Sequence, residues 1–582
     1  KMGEVLWQGK EFPAQDPFLF TSNEDSYPLY HSWLFQVGIH LVHAQWGMSS
    51  VRILTALLAL LACGAVIYWA RGIAAKGHFP WLASGALLFF SYQRLIQLRP
   101  HMLSVIFFFF LLGFLWRHQE RMDWSARLVC AVTMIIWANV HSVALIVFPF
   151  WLLFLILLWF SRRSTEVDLA GHWINFVLSL GAVSLTPLGW KLYFFYWLGQ
   201  SRNPYAQVID EWGHWNPFGV SNFLPLSSPI LVCAVVLLLL VFLFRLGQGM
   251  ILVRRQGMQA LAGEPLILAF WGLAAAALML FAVRFFWMAP LIVSALVFFP
   301  QKRQHQGGRW RYIVGTLLWI LAVFLHFQAP GTKIYHYPWQ TPKQRSQYLH
   351  QDIDERRYHW KAIQFLQNLG LEGRVFNPYH LGGVLSFGLH PQVRTFIDGR
   401  FEHYLYEVNR DQQRIESVGE NFVQLLEKYN VELCFVPISR YSVRLRIALQ
   451  EIDWVLVYTN SQTQIYCRPD LFARYRTTIM AYYDLEGDAP LQKARKLLYD
   501  RLLTSTLSIP SWPLEAVTTA DPDYLEKMNL LLQHLFIPEA RYWYQTPSGR
   551  LNLQDARLSD FRFVFAHYNQ IRAQLKKEER RR

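Results

Sequence analysis

The sequence predicts an α-helical polytopic membrane protein with a C-terminal soluble α/β domain followed by a helical region. Three observations predict it. Long apolar stretches recur through residues 1–328, basic residues cluster in alternate loops between them, and short strand-like segments replace the apolar ones beyond about residue 329. Composition agrees. The 582 residues are 53% hydrophobic and 16% charged, whereas a soluble chain carries about 25% charge. Trp and Tyr are abundant, 24 and 27, and both favour the headgroup level of a bilayer. The formal net charge is +15. In a soluble protein that would suggest nucleic acid. Here many basic residues sit in short loops, where they set orientation, and no nucleic-acid partner is expected.

Ten apolar segments can cross, or nearly cross, a hydrocarbon core of roughly 30 Å. They lie near 51–70, 79–97, 101–116, 127–141, 143–160, 171–187, 229–246, 265–283, 285–300 and 312–328. The stretch 33–46 is too short and too rich in His for a span, and reads as an amphipathic helix in the interface. One set of loops holds Arg71 and Lys76; Arg117, Arg121 and Arg127; Arg162 and Arg163; Arg254 and Arg255; and Lys302, Arg303, Arg309 and Arg311. The alternate set is far poorer. The basic set is therefore cytoplasmic. That puts the first outer loop (1–32), the second large outer loop (188–228) and everything beyond 328 outside. No signal peptide opens the chain. Outer first residues imply a preceding helix, so the expected gene product begins upstream, with about eleven spans.

Pro330, Pro338 and Pro342 mark a linker. A helix over 358–369 follows, then strand candidates at 374–377, 394–397, 431–437, 453–459 and 464–467, with helices near 418–429 and 441–450. Strands alternating with helices predict a small periplasmic α/β domain over 329–470. Residues 471–582 read as amphipathic helices, a surface for a protein partner. Cys434 and Cys467 fall in strand-like segments. Two separate core thiols are the preferred reading, and a disulfide is the alternative if the domain lies outside the cytoplasm. No Cys/His cluster suggests zinc.

Several residues have the chemistry for a site. The first outer loop holds Asp16, Glu24, Asp25 and His31. A sugar hydroxyl needs a base during attack, yet Asp16-Pro17 and Ser22-Asn23 are also ordinary turn formers. Asp210 and Glu211 precede Trp212, and His214 lies between Trp212 and Trp215. That suits sugar binding, or equally an interfacial aromatic belt. Arg94, Arg99 and Arg284 end apolar segments on the outer side, against the charge bias. A lipid-linked phosphate there would explain them; snorkelling is the other reading, and the better one for Arg94. Asn139 and His141 sit at a tight outer turn, facing a cavity or capping helices. Asp398-Gly399-Arg400 follows an apolar strand, where ligand-facing residues or a plain turn are both found.

The order of these motifs resembles bacterial membrane proteins of the GT-C glycosyltransferase superfamily. The matching residues are Gly3, Gly9, Pro13, Asp16, Pro17, Phe18, Thr21, His31, Trp33 and Leu34; Arg99-Pro100; Trp137-Ala138-Asn139 with His141; Pro187-Leu188-Gly189; Glu211-Trp212; Arg284; and the run from Phe376 to Arg400. The group's usual Phe-Ser is Phe18-Leu19 here. The resemblance implies a GT-C-like fold and transfer of a sugar from a polyprenyl-phosphate donor at the outer leaflet, in the manner of mannosyl- or arabinosyltransferases. The acceptor would be a glycan, a lipid or a protein. It makes Asp16 the first candidate base, with Glu24 and Asp25 behind it, and Arg284 the candidate phosphate ligand. Arg99, His31, Asn139, His141, Asp210, Glu211, Trp212, Asp398 and Arg400 are candidate substrate-binding residues. Some members use a divalent cation and others none. A scaffold subunit that has lost catalysis is the competing reading. A polysaccharide polymerase or ligase, which shares the carrier but not the fold, is a third.

Overall fold

A computed structural model describes residues 1–22, 30–73, 79–95, 97–160, 167–194, 229–256, 264–298, 316–317, 320, 358–400, 406–438, 442–459 and 463–482. It is mostly helical with one small sheet. Two compact units divide the chain: Met2–Phe12 with Tyr27–Asp352, and Pro13–Ser26 with Ile353–Arg582 together with Lys1.

The first unit is all helix. Its described elements are α1 (Met2–Gly9), α2 (Trp33–Ile73), α3 (Phe79–Leu95), α4 (His101–Arg117), α5 (Trp124–Val140), α6 (Val147–Phe160), α7 (Leu169–Ala182), α8 (Pro229–Gln256), α9 (Glu264–Phe281) and α10 (Ala289–Phe298). Single 3-10 turns, Ser142–Ile146 and Val283–Met288, lead into α6 and α10. Helices thus occupy the apolar segments from 51–70 to 285–300, while 312–328 lies largely outside the described residues. The helix α2 breaks at Gly47, whose φ of 72° no helix contains. This separates the 33–46 stretch from the apolar segment after it. Trp33–Ile73 and Ser142–Trp159 are long and apolar enough to cross a membrane, and the remaining apolar helices are shorter.

Aromatic rings fill the interior. Phe108 packs edge-on to Phe150 and Trp287, and Trp116 and Phe154 pack on Trp271. At Gly113 a Cβ would lie 2.8 Å from the Trp69 Cα, so only glycine lets α4 approach α2 here. The outward faces are apolar too. Ile53, Leu57, Leu60 and Leu61 on α2, and Leu128, Val132 and Ile136 on α5, are exposed at helical spacing.

The second unit carries a five-stranded sheet of β1 (Gly373–Phe376), β2 (Val393–Thr395), β3 (Leu433–Pro437), β4 (Val455–Thr459) and β5 (Thr463–Cys467), in the order β2-β1-β3-β5-β4. The first three strands in that order are parallel, and β3, β5 and β4 are antiparallel. Five helices between and around the strands are α11 (Trp360–Asn368), α12 (Gly382–Leu389), α13 (Tyr406–Glu416), α14 (Phe422–Lys428) and α15 (Val443–Glu451); α16 (Pro469–Tyr482) follows β5. The strands fall on the segments that the sequence predicts. Ile363, Phe365, Leu366, Leu385, Leu433, Phe435 and Ile465 form the core. Cys434 and Cys467 are both buried in it as separate thiols.

Candidate functional site

Two clusters gather most of the sequence-predicted residues that the structure describes. The first is in the sheet-bearing unit. Asp16 precedes a proline and turns the chain on its own side chain: Oδ1 accepts from the Phe18 and Leu19 N–H groups at 2.7 and 3.1 Å. The chain then runs beside β2. Thr395 N–H donates to the Phe18 carbonyl at 2.8 Å, and Phe20 N–H donates to the Thr395 carbonyl at 3.3 Å. The Thr21 hydroxyl donates to the Phe396 carbonyl. The Asp-Pro-Phe segment therefore covers the open edge of the sheet, where unpaired backbone groups would otherwise face outward.

The run from Phe376 to Arg400 builds the other half. Asn377 Nδ2 donates to the Ile397 carbonyl at 2.8 Å, and its Oδ1 accepts from Phe396 N–H at 2.9 Å. This fixes the chain leaving β2 against the chain leaving β1. A Cβ on Gly382 would lie 2.0 Å from the Ile397 carbonyl oxygen, so the start of α12 sits directly on that backbone. Asp398 then receives Arg400 through its N–H at 2.8 Å and through Nε at 2.9 Å.

Arg400 joins the halves. Its Nη1 lies 3.0 Å from Asp16 Oδ2, and its Nη2 pairs with Asp398 Oδ2. The Phe18 ring flanks the guanidinium, 5.2 Å from ring centre to Cζ. The Asp16 side chain is 0% exposed and that of Arg400 26%. Burial pushes the Asp16 carboxyl above its ordinary range and the Asp398 charge adds to this, against the pull of Arg400 and two backbone N–H groups. Burial lowers the Arg400 pKa, but the two carboxylates outweigh it and hold the guanidinium charged.

The second cluster is in the helical unit, where the predicted turn at Asn139–His141 ends α5. Asn139 Nδ2 donates to the carbonyls of Ile135 and Leu185 at 2.8 and 2.9 Å, and Oδ1 accepts from Trp33 Nε1 at 2.7 Å. Trp137 Nε1 donates to Ser104 Oγ at 2.8 Å, and Ser104 Oγ lies 2.7 Å from His141 Nδ1. The backbone of His141 is extended (φ −159°, ψ 123°), which stops α5 and turns the imidazole off the helix line. His31 and Arg284 both lie within electrostatic reach of that imidazole. His101, which meets the Arg94 carbonyl at 3.1 Å, is in turn within reach of His141, Arg94 and Arg99. Electrostatic interactions thus link His141 at the end of α5 to His31 before α2, to Arg284 before α10 and to His101 at the start of α4.

Sequence reasoning assigned no site role to four residues, although Phe18, Asn377 and Thr395 lie in stretches that carry the resemblance. Ser104 hides inside an apolar segment, and Asn377, Thr395 and Phe18 act through backbone bonds that composition cannot show. The spacing of Trp137 and His141 gave no signal of the Ser104 contacts. Glu24, Asp25, Asp210, Glu211 and Trp212 lie outside the described residues. Among the described residues no group of three His, Cys, Asp or Glu side chains is set to share a cation. The two carboxylates that do meet share Arg400 instead, so they do not fit a divalent ion.

No protein-family model matches the chain, and no curated protein matches it in sequence. Solved structures similar to it include the Archaeoglobus fulgidus oligosaccharyltransferase in its apo form, at 11% identity over 80% of this chain and 69% of that one, with a TM-score of 0.49. Another is the same organism's oligosaccharyltransferase AglB in complex with an inhibitory peptide and a dolichol-phosphate, at 10% identity over 79% and 68%, with a TM-score of 0.45.

Proposed function

We propose that the chain is a GT-C-like membrane glycosyltransferase. It takes a sugar from a polyprenyl-phosphate donor at the outer face of a bacterial cytoplasmic membrane and passes it to a glycan, lipid or protein acceptor, in the manner of mannosyl- or arabinosyltransferases. The observation that carries this reading is the second cluster. His31 and Arg284 act electrostatically on His141, and Arg99 on His101 beside it, at the ends of apolar helices, where charge is costly without a function. An anionic lipid phosphate supplies one. The apolar outward faces of α2 and α5 suit lipid rather than water, and the alternation of basic loops gives a periplasmic C-terminal domain.

In the proposed reaction the acceptor oxygen attacks the anomeric carbon and loses its proton to a carboxylate. The glycosyl–phosphate bond breaks, and the polyprenyl phosphate leaves with the electron pair. Arg284 stabilises the charge that grows on the phosphate. Asp16 has both oxygens engaged and no exposed side-chain surface. It suits a positioning role, and the proton passes to Glu24 or Asp25. No step is routed through a metal. The enclosure of Asp16 is also what favours the second reading, a non-catalytic scaffold subunit of a larger membrane complex.

The test is sugar transfer by the full-length protein in lipid vesicles from a panel of polyprenyl-phosphate sugars. Transfer that Glu24→Gln or Asp25→Asn abolishes supports the enzyme. Absence of transfer and of donor binding by the wild type supports the scaffold.

A further inference from the structure

We propose that Ser104 and Trp137 are positioning residues that fix His141 as a neutral imidazole donating through Nε2–H to an oxygen of the donor's phosphate, beside Arg284. The proposal rests on the donor class given above.

The hydrogen-bond directions follow from chemistry. An indole N–H only donates, so Ser104 Oγ accepts from Trp137 Nε1. The Ser104 hydroxyl then has one proton to place. Ser104 is 1% exposed, and a buried hydroxyl proton without an acceptor is costly. Among the described residues the acceptor within reach is His141 Nδ1, at 2.7 Å. Nδ1 is therefore the unprotonated nitrogen, and the ring proton sits on Nε2. No hydrogen bond among the described residues occupies Nε2. The extended backbone at His141 turns the ring away from α5, and both His31 and Arg284 act on it electrostatically. A neutral donor set beside a guanidinium matches a phosphate, which offers several acceptor oxygens and takes a bidentate Arg on one side. Ser104 is thus a selector of tautomer rather than a ligand. Trp137 occupies one of the two lone pairs of that hydroxyl and anchors its oxygen.

The test uses the full-length protein in nanodiscs, polyprenyl monophosphate as probe, and two readouts. The first needs no ligand. Solid-state NMR of 15N-histidine protein, with the His141 signal identified by its loss in His141→Gln, should show Nε2 protonated and Nδ1 bare, and Ser104→Ala should mix the tautomers. The second is binding. His141→Phe should weaken polyprenyl monophosphate about tenfold, the loss of one hydrogen bond to a charged group, and Ser104→Ala by the smaller factor, about twofold for an even tautomer mixture, by which the Nε2–H form is depopulated. The double variant should be no weaker than His141→Phe, and Ser104→Thr, which keeps the hydroxyl, should bind as wild type. A protonated Nδ1 in the wild type overturns the proposal, as does unchanged affinity in Ser104→Ala and His141→Phe while the wild type binds. Phosphatidylglycerol that displaces the probe at equal concentration overturns the carrier as the ligand. A wild type that binds no polyprenyl monophosphate overturns the functional reading itself.

Discussion

The guanidinium of Arg400 lies 3.0 Å from the carboxylate of Asp16, although the two residues are far apart in sequence. The contact closes a parallel pairing of Phe18–Thr21 with the edge strand β2, so the Asp-Pro-Phe segment and the Asp-Gly-Arg turn belong to one unit. Two motif blocks that read as separate candidates in sequence are the two sides of a single clasp.

Arg400→Ala should damage this clasp most, because it leaves two buried carboxylates facing one another. Breaking a buried pair from one side costs about 3 kcal/mol. Asp16→Asn should cost about 1 kcal/mol, since its Oδ1 still accepts from Phe18 and Leu19 and Arg400 keeps Asp398. Amide hydrogen exchange at Phe20 and Thr395 in the full-length protein measures both.

Asp16 and Asp411 should respond to acid in opposite directions. Burial raises the Asp16 pKa, so the folded state binds its proton first. Its contribution is complete below the unfolded value of about 3.9 and is lost as pH rises through the higher folded value. Burial also raises Asp411, but its bonds to Lys428 and Tyr429 and the Arg414 charge outweigh this and lower it. That contribution is present above about 3.9 and is lost as pH falls through the lower folded value. Unfolding of wild type, Asp16→Asn and Asp411→Asn across acidic pH should show the wild type gaining on the first variant and losing its lead over the second.

The adjacent glycines Gly382 and Gly383 should differ. A Cβ on Gly382 meets the Ile397 carbonyl at 2.0 Å, whereas one on Gly383 meets nothing within 4 Å. Gly382→Ala should destabilise the sheet unit by about 1–3 kcal/mol through overpacking. Gly383→Ala should be neutral or stabilising by about 0.5–1 kcal/mol. Thermal unfolding of the two purified variants decides it.

Trp33→Phe should loosen the helical cluster. It keeps the ring but removes the donor to Asn139 Oδ1, which leaves a buried acceptor unpaired at about 1–2 kcal/mol. Asn139→Ala removes three hydrogen bonds and should cost more. Thermal unfolding in nanodiscs gives the order.

Much of the fold was legible because period and composition carry it. Apolar runs gave the helices of the first unit, and short β-rich runs between Gly and Asn gave strands within a few residues of β1 to β5. The break in α2 at Gly47 was foreshadowed by the change from the His-rich stretch to the apolar one. Long-range pairing was not legible. Nothing in Asp16-Pro17-Phe18 alone says that it will lie on β2, because backbone pairing is blind to side-chain type. For the same reason Asp16 read as a base: its charge is visible in sequence and its enclosure is not. His31, Asn139, His141 and Arg284 were candidates because the sequence assigns their segments to one side, but Ser104 could not be told from any other hydroxyl on an apolar helix.

The most direct test of the central claim is transfer of a labelled sugar from a polyprenyl-phosphate donor by the full-length protein in vesicles, with Arg284→Ala and Asp16→Asn beside it. Transfer by the wild type, a loss of at least tenfold in Arg284→Ala, and substantial activity kept by Asp16→Asn are the predicted result, on the scale of one charged contact. Full activity in Arg284→Ala, or no transfer by the wild type from any donor of this class, would contradict it.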